Sequence, residues 1–180
     1  MGLEQGLDYA TQGILECLKT AEDLGVVLGI ENHYKDGFWN YPEFAQKMEV
    51  FLRLVERIPR SKHFGVQYDP SNAVVAGDDP IALLDAVLDR VVSMHASDRY
   101  LAPGAKLEDL KDSEGSAGYS KLLLHGVTGK GLNDYPAIFT RLASRSYGGW
   151  ISIEDGMNGM DEMRESLIFL KSMVDRYYPV

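Results

Sequence analysis

Four ionisable residues, Glu31, Asp69, His95 and Glu154, each stand at or near the end of a short apolar run: VVLGIE (26–31), HFGVQYD (63–69), VVSMHAS (91–97) and WISIE (150–154). If the four runs are parallel strands, these side chains gather at one sheet edge, where α/β proteins place their ligands. Three carboxylates there would repel and lift one another's pKa values unless a cation lies among them. One imidazole completes an O,O,O,N set that suits Mn²⁺, Mg²⁺ or Co²⁺, with Zn²⁺ possible. Taken singly, a strand-end carboxylate is more often a helix cap or a solvated charge, and a lone histidine more often a satisfied core residue. The recurrence in four strands is what argues for a divalent-metal site.

The elements that must position these residues alternate helix and strand, the pattern of a parallel α/β fold. Leu7, Ile14, Leu18 and Ala21 recur at helical spacing over residues 7–24, and Gly25 ends that helix. A second helix is expected over 42–57 and a third from Asp79-Pro80 to Leu88, each with a proline near its start, where a missing N–H costs nothing. Helices are expected again at Tyr135–Ala143 and from Asp161 to about Tyr177. The stretch from Asp98 to Gly131 is too long for an ordinary loop and is expected to be functional or to carry structure of its own. Cys17 is read as an inert packing residue, and Trp150, opening a strand, as core.

With 180 residues, 45% hydrophobic and 25% charged, the chain fits one globular domain spanning 1–180. A net charge of −9 argues against a general nucleic-acid or anionic-membrane surface. A single cysteine excludes an internal disulfide framework and suits a reducing cytoplasm. No apolar run reaches the ~18 residues needed to span a bilayer.

The segments GIENH (29–33), YDPSN (68–72), MHASDR (94–99) and SIEDG (152–156) resemble the strand-end signatures of the xylose-isomerase-like TIM-barrel superfamily. HGVTGKG (125–131) resembles the Gly-x-Gly turn before its last helix–strand unit. That superfamily holds sugar and sugar-phosphate isomerases and epimerases, inosose dehydratases and endonuclease-IV-type repair enzymes. The resemblance implies that Glu31, Asp69, His95 and Glu154 are the metal ligands, and that Glu31 and Glu154 also move protons through an enediolate. It implies a small sugar or sugar phosphate as substrate. Many relatives carry a histidine where Asn72 stands; Asn72 is then a candidate for a substrate hydroxyl. Arg99 is a candidate for a hydroxyl or phosphate oxygen, and His33 for a substrate contact on the same strand face as Glu31. Tyr34, Phe38, Trp39 and Tyr41 offer rings to a sugar face, although loop aromatics more often pack a barrel rim.

A TIM barrel takes eight β/α units and typically ~250 residues. Four strands are counted here, so the resemblance implies the C-terminal half of a (β/α)8 barrel. Such a half leaves two open edges, expected to be covered by self-association or by the missing N-terminal half. An isomerase or epimerase is the leading expectation. An inosose-type dehydratase, a non-catalytic fragment or, with fewer features in favour, a repair nuclease are the alternatives.

Overall fold

The computed structural model describes residues 2–33, 45–110, 122–154 and 158–179. Helix α1 (Leu3–Leu24) turns Leu7, Leu18 and Ala21 inward and stops at Gly25, whose φ of +69° favours a residue without Cβ. Cys17 lies on its exposed side rather than in the core: the inward stripe passes through buried Leu7, Leu18 and Ala21 and half-buried Ile14, and residue 17 falls outside it. β1 (Leu28–Glu31) follows, then α2 (Met48–Arg57), which begins later than the helical pattern suggests. Residues 42–44 of the expected helix, the loop aromatics Tyr34, Phe38, Trp39 and Tyr41, and Asp155 and Gly156 lie outside the described residues.

β2 (Phe64–Tyr68) runs directly into a short helix the sequence pattern did not reveal, α3 (Pro70–Val75). Its six residues are all buried and so show no polar face for a helical period to mark. Asp69 caps it and Pro70 takes its first position. α4 (Pro80–Val87), capped by Asp79, leads to β3 (Val91–Ala96). The long stretch after β3 does carry structure: β4 (Asp98–Leu101) pairs antiparallel with β5 (Leu123–Gly126) in a separate two-stranded sheet. Residues 111–121 within it lie outside the described residues. α5 (Tyr135–Ser144), β6 (Trp150–Ile153) and α6 (Met160–Tyr177) complete the chain.

The main sheet has the order β1-β2-β3-β6 with every neighbour parallel. Strand side chains alternate between its faces. Val66, Tyr68, Met94 and Ala96 pack with Phe51, Leu84, Ile138, Phe139 and Leu170 of the helices, forming the main core on one side. Gly65 belongs to the other set; a Cβ there would lie 2.2 Å from a Val92 methyl and 2.5 Å from the Arg90 carbonyl oxygen. Trp150 is not core. It is 84% exposed, because among the described residues it opens an edge strand with a neighbour on one side only. Val26 and Val27 beside β1, and Leu167, Ile168 and Val174 on α6, are also exposed, so both flanks of the sheet present apolar surface. No helix among the described residues is long and apolar enough to cross a membrane.

Candidate metal centre

All four strands point the same way, so their C-terminal ends meet. One ligand atom each from Glu31, Asp69, His95 and Glu154 can be chosen so that all lie within 4.8 Å of one another. His95 Nδ1 lies 3.1 Å from Glu154 Oε2, 3.2 Å from Glu31 Oε1 and 3.9 Å from Asp69 Oδ2. Hydrogen bonds to Glu154 and Glu31 outweigh burial and push the imidazolium up to about 10. The same contact with His95 holds the Glu154 carboxyl below its usual range.

Asp69 divides its two oxygens between two tasks. Oδ1 accepts from the Ser71 and Asn72 N–H groups at 2.7 and 3.1 Å, capping α3, and from Ser97 Oγ at 3.4 Å. Oδ2 is buried, lies 3.9 Å from His95 Nδ1 and has no hydrogen-bond donor among the described residues. Burial of this fully enclosed carboxyl pushes it up to about 7, opposed by the Asn72 N–H and reinforced by the Glu31 and Glu154 charges and by a hydrogen bond that its protonated form makes to Glu154. A buried carboxylate oxygen without a donor is costly. A divalent cation among these atoms would supply the missing charge, and the donor set fits one.

Two residues that strand-end reasoning passed over hold this arrangement. Asn32, only 3% exposed, donates from Nδ2 to the Asp69 carbonyl oxygen (2.7 Å) and accepts from the Asp69 N–H at Oδ1 (2.9 Å). It thereby continues the β1–β2 ladder by one rung beyond the Glu31–Gln67 pair. Gln67 donates to Glu31 Oε2 (3.3 Å). The signals were present: a polar residue right after Glu31 at a buried strand end needs a partner, and Gln67 shares a face with Asp69 two positions on.

The expected substrate contacts take different places. Asn72 is buried and donates from Nδ2 to Glu31 Oε1 at 3.0 Å, so its amide is turned to the cluster. His33 is half-buried and within electrostatic reach of Glu154. Arg99 is 3% exposed, bonds through Nη1 to the Asp98 carbonyl oxygen and stands opposite His125 in the β4–β5 pair. Burial and the Arg99 charge push His125 down to about 4, so it is neutral at physiological pH. The Asp98 carboxylate collects the N–H groups of Arg99, Gly129, Gly131 and Asn133 at 2.9–3.2 Å and shapes the Gly-x-Gly turn. A Cβ at Gly131 would lie 2.3 Å from Asp98 Oδ1, which explains the glycine. This turn is joined to the metal edge, since Ala96 carbonyl oxygen accepts from both Thr128 Oγ1 and the Glu154 N–H.

The chain is similar to the rhizopine catabolism protein MocC of Rhizobium meliloti, 31% identical over 119 residues that make up 62% of this chain and 35% of the relative. It is similar to the inosose dehydratase of Geobacillus kaustophilus, 26% identical over 150 residues, 82% of this chain and 46% of that one. Among solved structures, a xylose isomerase domain protein from Planctomyces limnophilus superposes with a TM-score of 0.70 at 19% identity, over 94% of this chain and 52% of the other. The chain thus spans about half the length of these proteins or less. Its four parallel β/α strands are those of a partial barrel. The model of the xylose isomerase-like TIM barrel family matches residues 2–173, and the chain belongs to that family.

Proposed function

We propose that Glu31, Asp69, His95 and Glu154 hold one divalent cation, and that the site serves proton transfer next to the carbonyl of a small sugar, sugar phosphate or related polyol. The observation that carries this reading is the buried, donorless Asp69 Oδ2, in a cluster where one ligand atom from each of the four residues lies within 4.8 Å of the others. A bound divalent ion would polarise a carbonyl and its neighbouring hydroxyl, making the intervening C–H more acidic. Asp69 and His95 would act as ligands only. A cluster glutamate, Glu31 or Glu154, would take the proton as general base, and its return at another face or carbon gives an epimerase or isomerase. His33 and His125 flank the site, and neutral His125 can both donate to and accept from a hydroxyl.

A second reading, dehydration of a cyclic keto-polyol, draws support from the 26% identity to an inosose dehydratase over most of this chain. It needs the same proton abstraction followed by loss of hydroxide. In both readings the chain is the C-terminal half of a barrel acting on a small molecule in the cytoplasm, with no nucleic acid or membrane among its partners; the acidic net charge of −9 supports the last point alone.

The test is metal content of the purified protein, with Asp69→Asn and Glu154→Gln as controls. Stoichiometric Mn²⁺, Co²⁺ or Zn²⁺ in the parent and depletion in both variants is the expected result. Equal content in all three proteins would end the proposal. Deuterium uptake from solvent into ketoses or inososes then separates proton transfer from binding alone.

A further inference from the structure

Glu31, Gln67 and Ser93 occupy directly paired positions on three adjacent strands: Glu31 opposes Gln67 across β1–β2, and Gln67 opposes Ser93 across β2–β3. Paired residues share a sheet face, so the three side chains form one row immediately below the ligand atoms. The Ser93 hydroxyl donates to Gln67 Oε1 at 3.0 Å, and Gln67 Nε2 donates to Glu31 Oε2 at 3.3 Å. A flipped amide would set its carbonyl oxygen against a carboxylate oxygen, so the direction of the row follows from the charge at its end. From the opposite side Asn72 Nδ2 donates to Glu31 Oε1, the oxygen that lies 3.2 Å from His95 Nδ1.

We propose that Ser93 and Gln67 form a positioning relay that tethers Glu31 through Oε2 and presents Oε1 to the cation. The inference rests on the metal reading above and adds residues to it. A tethered Oε2 is taken up by its amide donor, and Oε1 retains a lone pair toward the cluster beside the one given to Asn72. Gln67 is a positioning residue; it reaches the ion only through Glu31. Partners of this kind commonly alter metal affinity by roughly 10–100-fold when removed, because the ligand must then be oriented at the moment of binding.

The test compares the parent chain with Gln67→Leu, which fills similar volume without a donor, and Ser93→Ala, which keeps Gln67 but frees its amide to rotate. The readouts are Mn²⁺ affinity by calorimetry and the visible absorption of the Co²⁺ form, which reports ligand geometry. Q67L is expected to bind Mn²⁺ roughly 10–100-fold more weakly with a shifted Co²⁺ band. S93A is expected to lose about 2–10-fold, the share of one neutral hydrogen bond. If Q67L does not fold, S93A decides. Parent-like affinity and spectrum in the folded variants overturn the relay while leaving the metal site standing. A parent chain that binds neither ion overturns both.

Discussion

Replacing Asn32 with alanine isolates how the end of β1 holds Asp69. The side chain is 3% exposed and makes two hydrogen bonds, at 2.7 and 2.9 Å, to the carbonyl oxygen and N–H of one residue. Truncation removes the acceptor from a buried N–H, at about 1–3 kcal/mol for an unsatisfied group, and deletes a second bond of about 1 kcal/mol. The expected loss is roughly 2–4 kcal/mol, a large part of the total stability of an ordinary domain. For a chain of this size that lowers the melting temperature by roughly 5–15 °C. The assay is thermal unfolding by circular dichroism with EDTA present, so that no bound ion contributes. Asn32→Asp serves as the paired control: it keeps the acceptor for the Asp69 N–H but sets a carboxylate oxygen against the Asp69 carbonyl oxygen. Its loss should match or exceed that of N32A at pH 8 and shrink on acidification as the new carboxyl is protonated. A change below about 0.5 kcal/mol in N32A would refute the argument, because an indifferent site is one where water or a neighbour already satisfies the Asp69 backbone.

The metal-free chain should lose stability as pH rises. Asp69, pushed up to about 7 when folded, favours the fold below about pH 4, its ordinary range, and withdraws that support as pH climbs to 7. His95, pushed up to about 10, favours it below about 6.5 and withdraws support toward 10. Glu154, lowered, opposes this trend only at acid pH, where its contribution is lost as the carboxyl is protonated. Melting curves in EDTA at pH 5, 7 and 9 check the sign, and Mn²⁺ should restore most at the highest pH; a flat profile contradicts the buried Asp69. Gly131→Ala drives a Cβ to 2.3 Å from Asp98 Oδ1 and 2.4 Å from the Arg99 carbonyl oxygen, and should cost about 1–3 kcal/mol in urea unfolding. Gly148→Ala, with open space around it and no positive φ, is the control expected to stay within about 0.5 kcal/mol. With both sheet edges unpaired among the described residues and apolar flanks, the chain on its own should self-associate in sedimentation at micromolar concentration; a well-folded monomer would show that these faces need no cover.

The cluster was legible in the sequence because parallel strands convert chain order into spatial convergence: an ionisable residue ending each of four apolar runs must meet the others wherever those runs pair in one direction. The helices that repeat an apolar stripe, α1, α5 and α6, were legible for the same reason, since their period carries over directly to one buried side. Tertiary structure decided what lacks a period. α3 is buried all round, so no polar face marks it, and only Asp69 with Pro70 betrays its start. Trp150 is hydrophobic yet exposed, because strand order left β6 at an edge. The cap on Asp69 Oδ1 is local, from Ser71 two residues on, but the placing of its donorless Oδ2 near His95 and the turn of Asn72 toward Glu31 depend on how segments distant in the chain pack together. Residue types and spacing determined which groups come together at the strand ends. Packing decided which oxygen of each group is left to bind an ion, because a hydrogen bond is directional and its partner here lies on a different strand or helix.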